Sequence, residues 1–188
     1  MPLECRGDVA PERASCVVVE SGDVIIRDAV DTDMPAVRDL YNALIPTTTV
    51  AWTDVPQTLR ERRAWFGRQQ RFGYPVVVAE VSGAVVGFAA YGSFRGSGKW
   101  PGYRQTVEHT IHVHEDCWGR GIGRSLLEAL IEHARANDVH VMVAAVDGAN
   151  QESISFHERL GFTIVARMPE VGRKFDRWLE LVLMQRLI

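Results

Sequence analysis

Residues Thr106 to Arg124, TVEHTIHVHEDCWGRGIGR, constrain this chain more than any other stretch. Polar and apolar positions alternate through a run of strand length, and a short acidic turn follows. Gly119-Arg120-Gly121-Ile122-Gly123 then opens a segment of helical period. A strand, a glycine loop and a helix in that order make a cradle for a pyrophosphate. Glycines let the backbone approach the anion, and the N–H groups of the first helical turn point at it. Arg120 and Arg124 add positive charge inside the motif, and Glu108 places a carboxylate on the strand just ahead of it. A dinucleotide-binding fingerprint does not fit. G-x-G-x-x-G with Gly119 first requires glycine where Arg124 stands, and the motif lies far from the N-terminus.

Length and composition limit the function classes. A chain of 188 residues can bury one full core. Its 46% hydrophobic and 24% charged residues are ordinary for a soluble globular protein. No apolar run approaches the ~18–20 residues of a membrane span. Val17-Val18-Val19 is too short for a signal-peptide core and follows acidic residues. A net charge of −3 without a basic stripe argues against nucleic acid as a partner. The three cysteines, Cys5, Cys16 and Cys117, have neither zinc spacing nor an even-numbered framework, so a reduced, cytoplasmic chain is expected. Cys117 beside the glycine loop reads as a bystander thiol.

Residues 1–22 mix Pro, Gly, Glu, Arg and Ser without periodicity and read as a partly disordered appendage. A single domain over 23–188 follows. Val24–Arg27 is a short strand, and Asp31 or Thr32 caps a helix to about Leu44 with Pro35 in its first turn. After Thr47-Thr48-Thr49, a second helix runs from Leu59 to Gln70. Tyr74–Val81 and Ala84–Tyr91 form a hairpin about Ser82-Gly83. A Gly-, Ser- and aromatic-rich loop, Gly92–Tyr103, leads into the strand Thr106–Val113. The helix Ile122–Arg135 carries an apolar stripe at Ile122, Leu126, Leu127, Leu130, Ile131 and Ala134. Val139–Val146 is a strand, Asn150–Leu160 a helix stopped by Gly161, and Phe162–Ala166 and Trp178–Met184 are the last strands. The fold class is therefore α/β: a mixed sheet of about seven strands with about four helices, antiparallel early and partly parallel late.

Alternation in the central strand puts Val107, His109, Ile111 and Val113 on one face and Thr106, Glu108, Thr110 and His112 on the other. Glu108 and His109 then cannot act side by side. The run HTIHVHED invites a metal reading, but His112 and His114 share a face that His109 does not, and no fourth ligand follows. No metal is expected.

Together, TVEHTIHV, the GRGIG loop, Asn150 and SISFHERLGF resemble the GNAT family of acetyl-CoA-dependent N-acetyltransferases. Further matches resemble its phosphinothricin and methionine sulfoximine/sulfone acetyltransferase branch: Thr49–Trp52, Tyr91–Arg95, Tyr103–Thr110 and Val171–Leu181. The resemblance spans about Val24 to Ile188. It implies a GNAT fold in which two parallel strands splay around acetyl-CoA. The backbone of Ile111, His112 and Val113 would hold the pantetheine arm. That of Gly119, Arg120, Gly121, Ile122, Gly123 and Arg124 would hold the pyrophosphate. Asn150, Ser153 and Arg159 would also face the cofactor. The family usually has Arg or Gln where this chain has Trp118, so one side-chain contact differs while the backbone cradle remains.

N-acetylation needs a neutral amine, a polarised thioester and a leaving thiolate that is protonated. An α-amine, with a pKa of roughly 8, must lose a proton. Glu108 is the candidate general base, the more so if burial raises its pKa. His157, at a position where many relatives carry Tyr, is the candidate general acid, against the plainer reading of a packed helix histidine. A backbone N–H, that of Val113, would hold the oxyanion. For an amino-acid-like acceptor, Arg95 and Arg104 can grip an anion, and Trp52, Phe94 and Tyr103 can wall a pocket beside Glu108. The expected acceptors are phosphinothricin, methionine sulfoximine or methionine sulfone. Another amine such as a protein N-terminus, and a non-catalytic acyl-CoA sensor, are the alternatives. A homodimer follows from the family resemblance alone.

Overall fold

A computed structural model describes residues 23–96 and 99–188. The appendage expected over 1–22 lies outside them. The strands are β1 (Ile25–Asp28), β2 (Val76–Val81), β3 (Ala84–Ser93), β4 (Thr106–Val113), β5 (Val141–Asp147), β6 (Thr163–Lys174) and β7 (Arg177–Leu187). The helices are α1 (Met34–Leu44), α2 (Leu59–Arg71), α3 (Ile122–Ala136) and α4 (Gln151–Arg159). One seven-stranded sheet has the order β1-β2-β3-β4-β5-β7-β6. Every pairing is antiparallel except β4 with β5.

Local chemistry explains most elements. Ser82 and Gly83 both adopt left-handed φ, 51° and 81°, which matches the twist of a two-residue hairpin. The capping box Thr58/Glu61 starts α2: the Thr58 hydroxyl accepts from the Glu61 N–H at 3.2 Å, and the Glu61 carboxylate accepts from the Thr58 N–H at 2.8 Å. The expected cap of α1 at Asp31 or Thr32 is corrected. A 3-10 turn, Asp31–Asp33, precedes the helix, and Asp33 organises it. Its buried carboxylate accepts from the Val30 N–H at 2.8 Å and is gripped by both terminal nitrogens of Arg27 at 2.8 and 2.9 Å. Arg27 holds the Asp33 carboxyl below its ordinary pKa.

The sheet has two cores. On one face α3 lays Leu126, Leu127, Leu130 and Ile131 against β2, β3 and β4. On the other, Met34 and Val37 of α1 and Phe66 of α2 cover Val76, Val78, Phe88 and Ala90. The last hairpin is longer than expected. Two register shifts in β6, with Glu170 at a left-handed φ of 56°, set Thr163–Lys174 against the shorter stretch Arg177–Gln185 of β7.

The parallel pairing of β4 and β5 ends after Glu108 opposite Val143. Beyond it, β4 follows β3 to Val113 opposite Gly87, and β5 follows β7 to Asp147 opposite Leu181. The strands splay, and a gap opens in the middle of the sheet.

Candidate active site

The gap is part of a cleft of about 980 Å³. Ile111 and Val113 of β4 form one wall, with Asp147 of β5 and Asn150, Ser153 and Arg159 around α4 opposite. His114 donates its N–H to the Val86 carbonyl of β3. By alternation, the backbone groups of Ile111 and Val113 therefore face the gap, where a linear amide chain can pair with them.

The glycine loop closes one end. Gly119 and Gly121 take left-handed φ values of 73° and 81°, which only glycine accepts without strain. Helix α3 begins at Ile122 with no side-chain cap and no acidic residue in its first turn, so its leading N–H groups stay available to an anion. Gly119, Gly121, Ile122, Gly123 and Arg124 all line the cleft. Arg120 does not. Trp118 does, and its indole N–H donates to the Val113 carbonyl at 2.8 Å, tying the loop to β4. The Asn150 side-chain oxygen caps α4 by accepting from the Ser153 N–H at 3.0 Å. Cys117 is buried in the same wall. These elements fit acetyl-CoA: a phosphate cradle, a strand edge with no neighbouring strand beyond Glu108, and a cleft that joins them.

The expected acid and base lie on opposite faces of the sheet. Glu108, the last residue of β4 paired with β5, points to the α1/α2 face. Its side chain is exposed, and partial desolvation by the surrounding protein raises its pKa. Among the described residues no charged group acts on it. His157 is buried on the other face. Its Nδ1 lies 2.7 Å from the Ser153 carbonyl and so carries the proton, while Nε2 is buried without a partner. Burial lowers the His157 pKa, and the bond to Ser153 partly opposes this. His109 stacks on it with ring centroids 5.1 Å apart, and burial, then His157 and His112, push His109 down to about 3. Both histidines are therefore neutral at physiological pH. His112 contributes only backbone to the gap, because its ring turns to the α1/α2 face, 5.0 Å from the ring of Phe88 and 5.7 Å from that of Tyr41.

The second lip is made by Leu44 and Thr47–Val50. Lys174, buried at 3% exposure, donates to the carbonyls of Ile45, Thr48 and Ala51 at 2.7, 2.8 and 2.6 Å. The Thr49 hydroxyl donates to the Asp147 carboxylate, which also accepts the Ala149 N–H at 3.0 Å. Trp52 lies so close over Gly172 of β6 that a methyl group there would overlap its ring. Phe94 and Tyr103 pack edge to face at 5.6 Å, with Arg95 over Tyr103 at 5.9 Å. Phe94, Arg95, Tyr103 and the exposed Arg104 thus gather at the β3–β4 connection, outside the cleft wall. Lys174 lies within the Val171–Leu181 match, whose residues could line the site or a dimer interface, and Asp147 belongs to none of the matched motifs. A lone acid at a strand end and a lone lysine in a hairpin carry no local signal. Among the described residues no cluster of three metal-ligating side chains occurs.

Known proteins share this arrangement. The Acetyltransferase (GNAT) family model matches residues 37–162. An L-methionine sulfoximine/L-methionine sulfone acetyltransferase of Pseudomonas paraeruginosa is 48% identical over 161 residues, covering 85% of this chain and 92% of that protein. The phosphinothricin N-acetyltransferase of Alcaligenes faecalis is 32% identical, covering 94% and 88%. The structure of a putative acetyltransferase from Salmonella typhimurium with its cofactor acetyl-CoA superposes with a TM-score of 0.83 at 43% identity, covering 87% of this chain and 93% of that one. The chain belongs to the GNAT family of acetyltransferases, and it is an acetyl-CoA-dependent N-acetyltransferase.

Proposed function

We propose that this enzyme acetylates the α-amine of a small amino-acid-like acceptor of the methionine sulfoximine, methionine sulfone or phosphinothricin type, with Glu108 as general base. The names of the relatives support the acceptor class. The observation that carries the base is the desolvated, unpaired carboxyl of Glu108 at the point where β4 and β5 part. Amides of the Gly119–Arg124 loop take the pyrophosphate, and the gap-facing edge of β4 takes the pantetheine arm. The amine nitrogen bonds to the thioester carbon, whose oxygen gathers charge beside the Val113 N–H. Glu108 accepts the amine proton as the carbon–sulfur bond breaks. His157 rests neutral with Nδ1–H committed to Ser153, so it draws a proton from solvent at Nε2 and passes that proton to the departing thiolate.

The test is thiol release from acetyl-CoA with methionine sulfone, methionine sulfoximine, phosphinothricin, plain amino acids and a peptide N-terminus. Turnover is expected on the first three, and turnover confined to the peptide would overturn the acceptor. Glu108→Gln is expected to lower kcat/KM by about 10²–10⁴ with acetyl-CoA affinity unchanged. Full activity of Glu108→Gln across pH would remove the base assignment. The reading carries a cytoplasmic enzyme without a nucleic-acid partner, in keeping with a net charge of −3. None of its described helices is long and apolar enough to cross a membrane. It also carries a homodimer, favoured by the outer strand β6, where Val165, Met168 and Val171 are 50%, 43% and 46% exposed. Long apolar edge strands are seldom left bare. Sedimentation velocity at micromolar concentration decides it, with a single monomer boundary counting against the dimer.

A further inference from the structure

The α1/α2 face of β4 carries three polar side chains in a row, Glu108, Thr110 and His112. Side chains two apart on a strand are ~6.6 Å from each other along it, within reach of a glutamate that lies down toward its neighbour. The Thr110 hydroxyl and His112 Nε2 are 2.9 Å apart. The other ring nitrogen, Nδ1, is buried without a partner. Behind it stands Arg62 of α2, itself buried at 4% exposure, with Nε and Nη2 unpartnered. Its guanidinium is ringed by Tyr41, Trp65 and Phe88 at 4.7, 4.8 and 5.6 Å.

This surrounding assigns the tautomer of His112. Burial and then Arg62 hold its pKa down to about 4, so the ring is neutral. A buried N–H left without an acceptor in the field of a cation is the costlier choice. Nδ1 therefore keeps its lone pair beside Arg62, and the proton sits on Nε2. Nε2–H then donates to the Thr110 oxygen, and the single hydroxyl proton of Thr110 is turned away from His112. The next polar side chain along that face is Glu108.

We propose that Thr110 is a positioning residue for the base: its hydroxyl, oriented by His112, donates to the Glu108 carboxylate, unpaired in the free enzyme, once the amine is bound, and holds it toward that amine. The inference rests on Glu108 being the base. The groups packed against His112 are Tyr41 of α1, Arg62 of α2 and Phe88 of β3. Of these Arg62 alone is charged, and desolvation alone shifts Glu108. A lost donor therefore stands out against no competing charge. In the amine complex that hydrogen bond favours the carboxylate and opposes desolvation, so its loss raises the Glu108 pKa there.

The experiment is the pH dependence of kcat and kcat/KM with methionine sulfone for the full chain and for Glu108→Gln, Thr110→Val, Thr110→Ser and His112→Phe. Thr110→Val preserves shape and is expected to move the acid limb of kcat upward by about one pH unit, with that of kcat/KM less affected. Its kcat is expected to fall more than its KM rises, and its acetyl-CoA affinity to stay put. Thr110→Ser restores the limb. His112→Phe keeps the ring packing and moves the limb the same way by less, which tests the row through a second site. The double variant Thr110→Val/His112→Phe goes no further than Thr110→Val. A limb lost in Glu108→Gln but unmoved in Thr110→Val overturns this inference alone. A limb that survives Glu108→Gln overturns the base assignment and this inference with it.

Discussion

The lip of the cleft around the glycine loop closes on bonds between near neighbours, whereas the Thr47–Val50 lip is held from far along the chain. Trp118 reaches back five residues to Val113, and Asn150 reaches forward three to Ser153. Lys174 binds carbonyls 123 to 129 residues away, and Asp147 receives Thr49 across 98. The cofactor lip is thus preorganised as soon as a strand, a turn and a helix form. The Thr47–Val50 lip exists only after the last hairpin has docked.

The largest expected effect acts on both sides of the sheet at once. His109 and His112 lie buried on opposite faces of β4, with pKa values down to about 3 and about 4 in the folded protein. Unfolded histidine titrates near 6.5. The unfolded chain therefore binds more protons below that value. The stability this neutrality confers is present above pH ~6.5 and is lost at up to ~1.4 kcal/mol per pH unit per histidine as pH falls toward the folded values. Denaturation midpoints from pH 7 to 4 should fall steeply, and His109→Phe should flatten the curve. A curve unchanged by that substitution would mean that His109 is hydrated. Lys174→Met separates the lips. It leaves three buried carbonyls without their donor and is expected to cost about 3 kcal/mol of unfolding free energy. The KM for the amine should rise well beyond the change in acetyl-CoA Kd from calorimetry. Equal losses in both would show that the two lips are one unit.

The same division decides what could be read from the sequence. The bounds of β4, the Ser82-Gly83 turn and the apolar stripe of α3 follow from periodicity and turn chemistry, and all appear where expected. So does the splay, as an implication of the family resemblance. The cap of α1 was misplaced because Asp33 answers to Arg27 as well as to its own helix. The ends of β6 and β7 were underestimated because bulges at Ile164/Ala166 and Met168/Gly172 break the two-residue period. Lys174, Asp147 and the row Thr110–His112–Arg62 acquire meaning only through partners on other elements. No window of sequence contains such partners, so no pattern within one window can announce them.

Two glycines probe the lips with smaller effects. At Gly172 a Cβ would occupy the space of the Trp52 ring. Gly172→Ala should swing Trp52 away at a cost of about 2 kcal/mol and raise the KM of the amine several-fold, leaving acetyl-CoA binding as it was. Gly121→Ala should do the converse. Nothing lies within 4 Å of a Cβ there, so the penalty comes from holding alanine at a left-handed φ of 81°. That strain is about 1 kcal/mol. If the loop relieves it by rotating its N–H groups off the phosphate, acetyl-CoA Kd rises about five- to tenfold while the KM of the amine holds. If the loop keeps its shape, stability falls by that amount and Kd does not move. Calorimetry beside a denaturant titration separates the two and measures how much of the cradle's affinity lies in backbone direction alone.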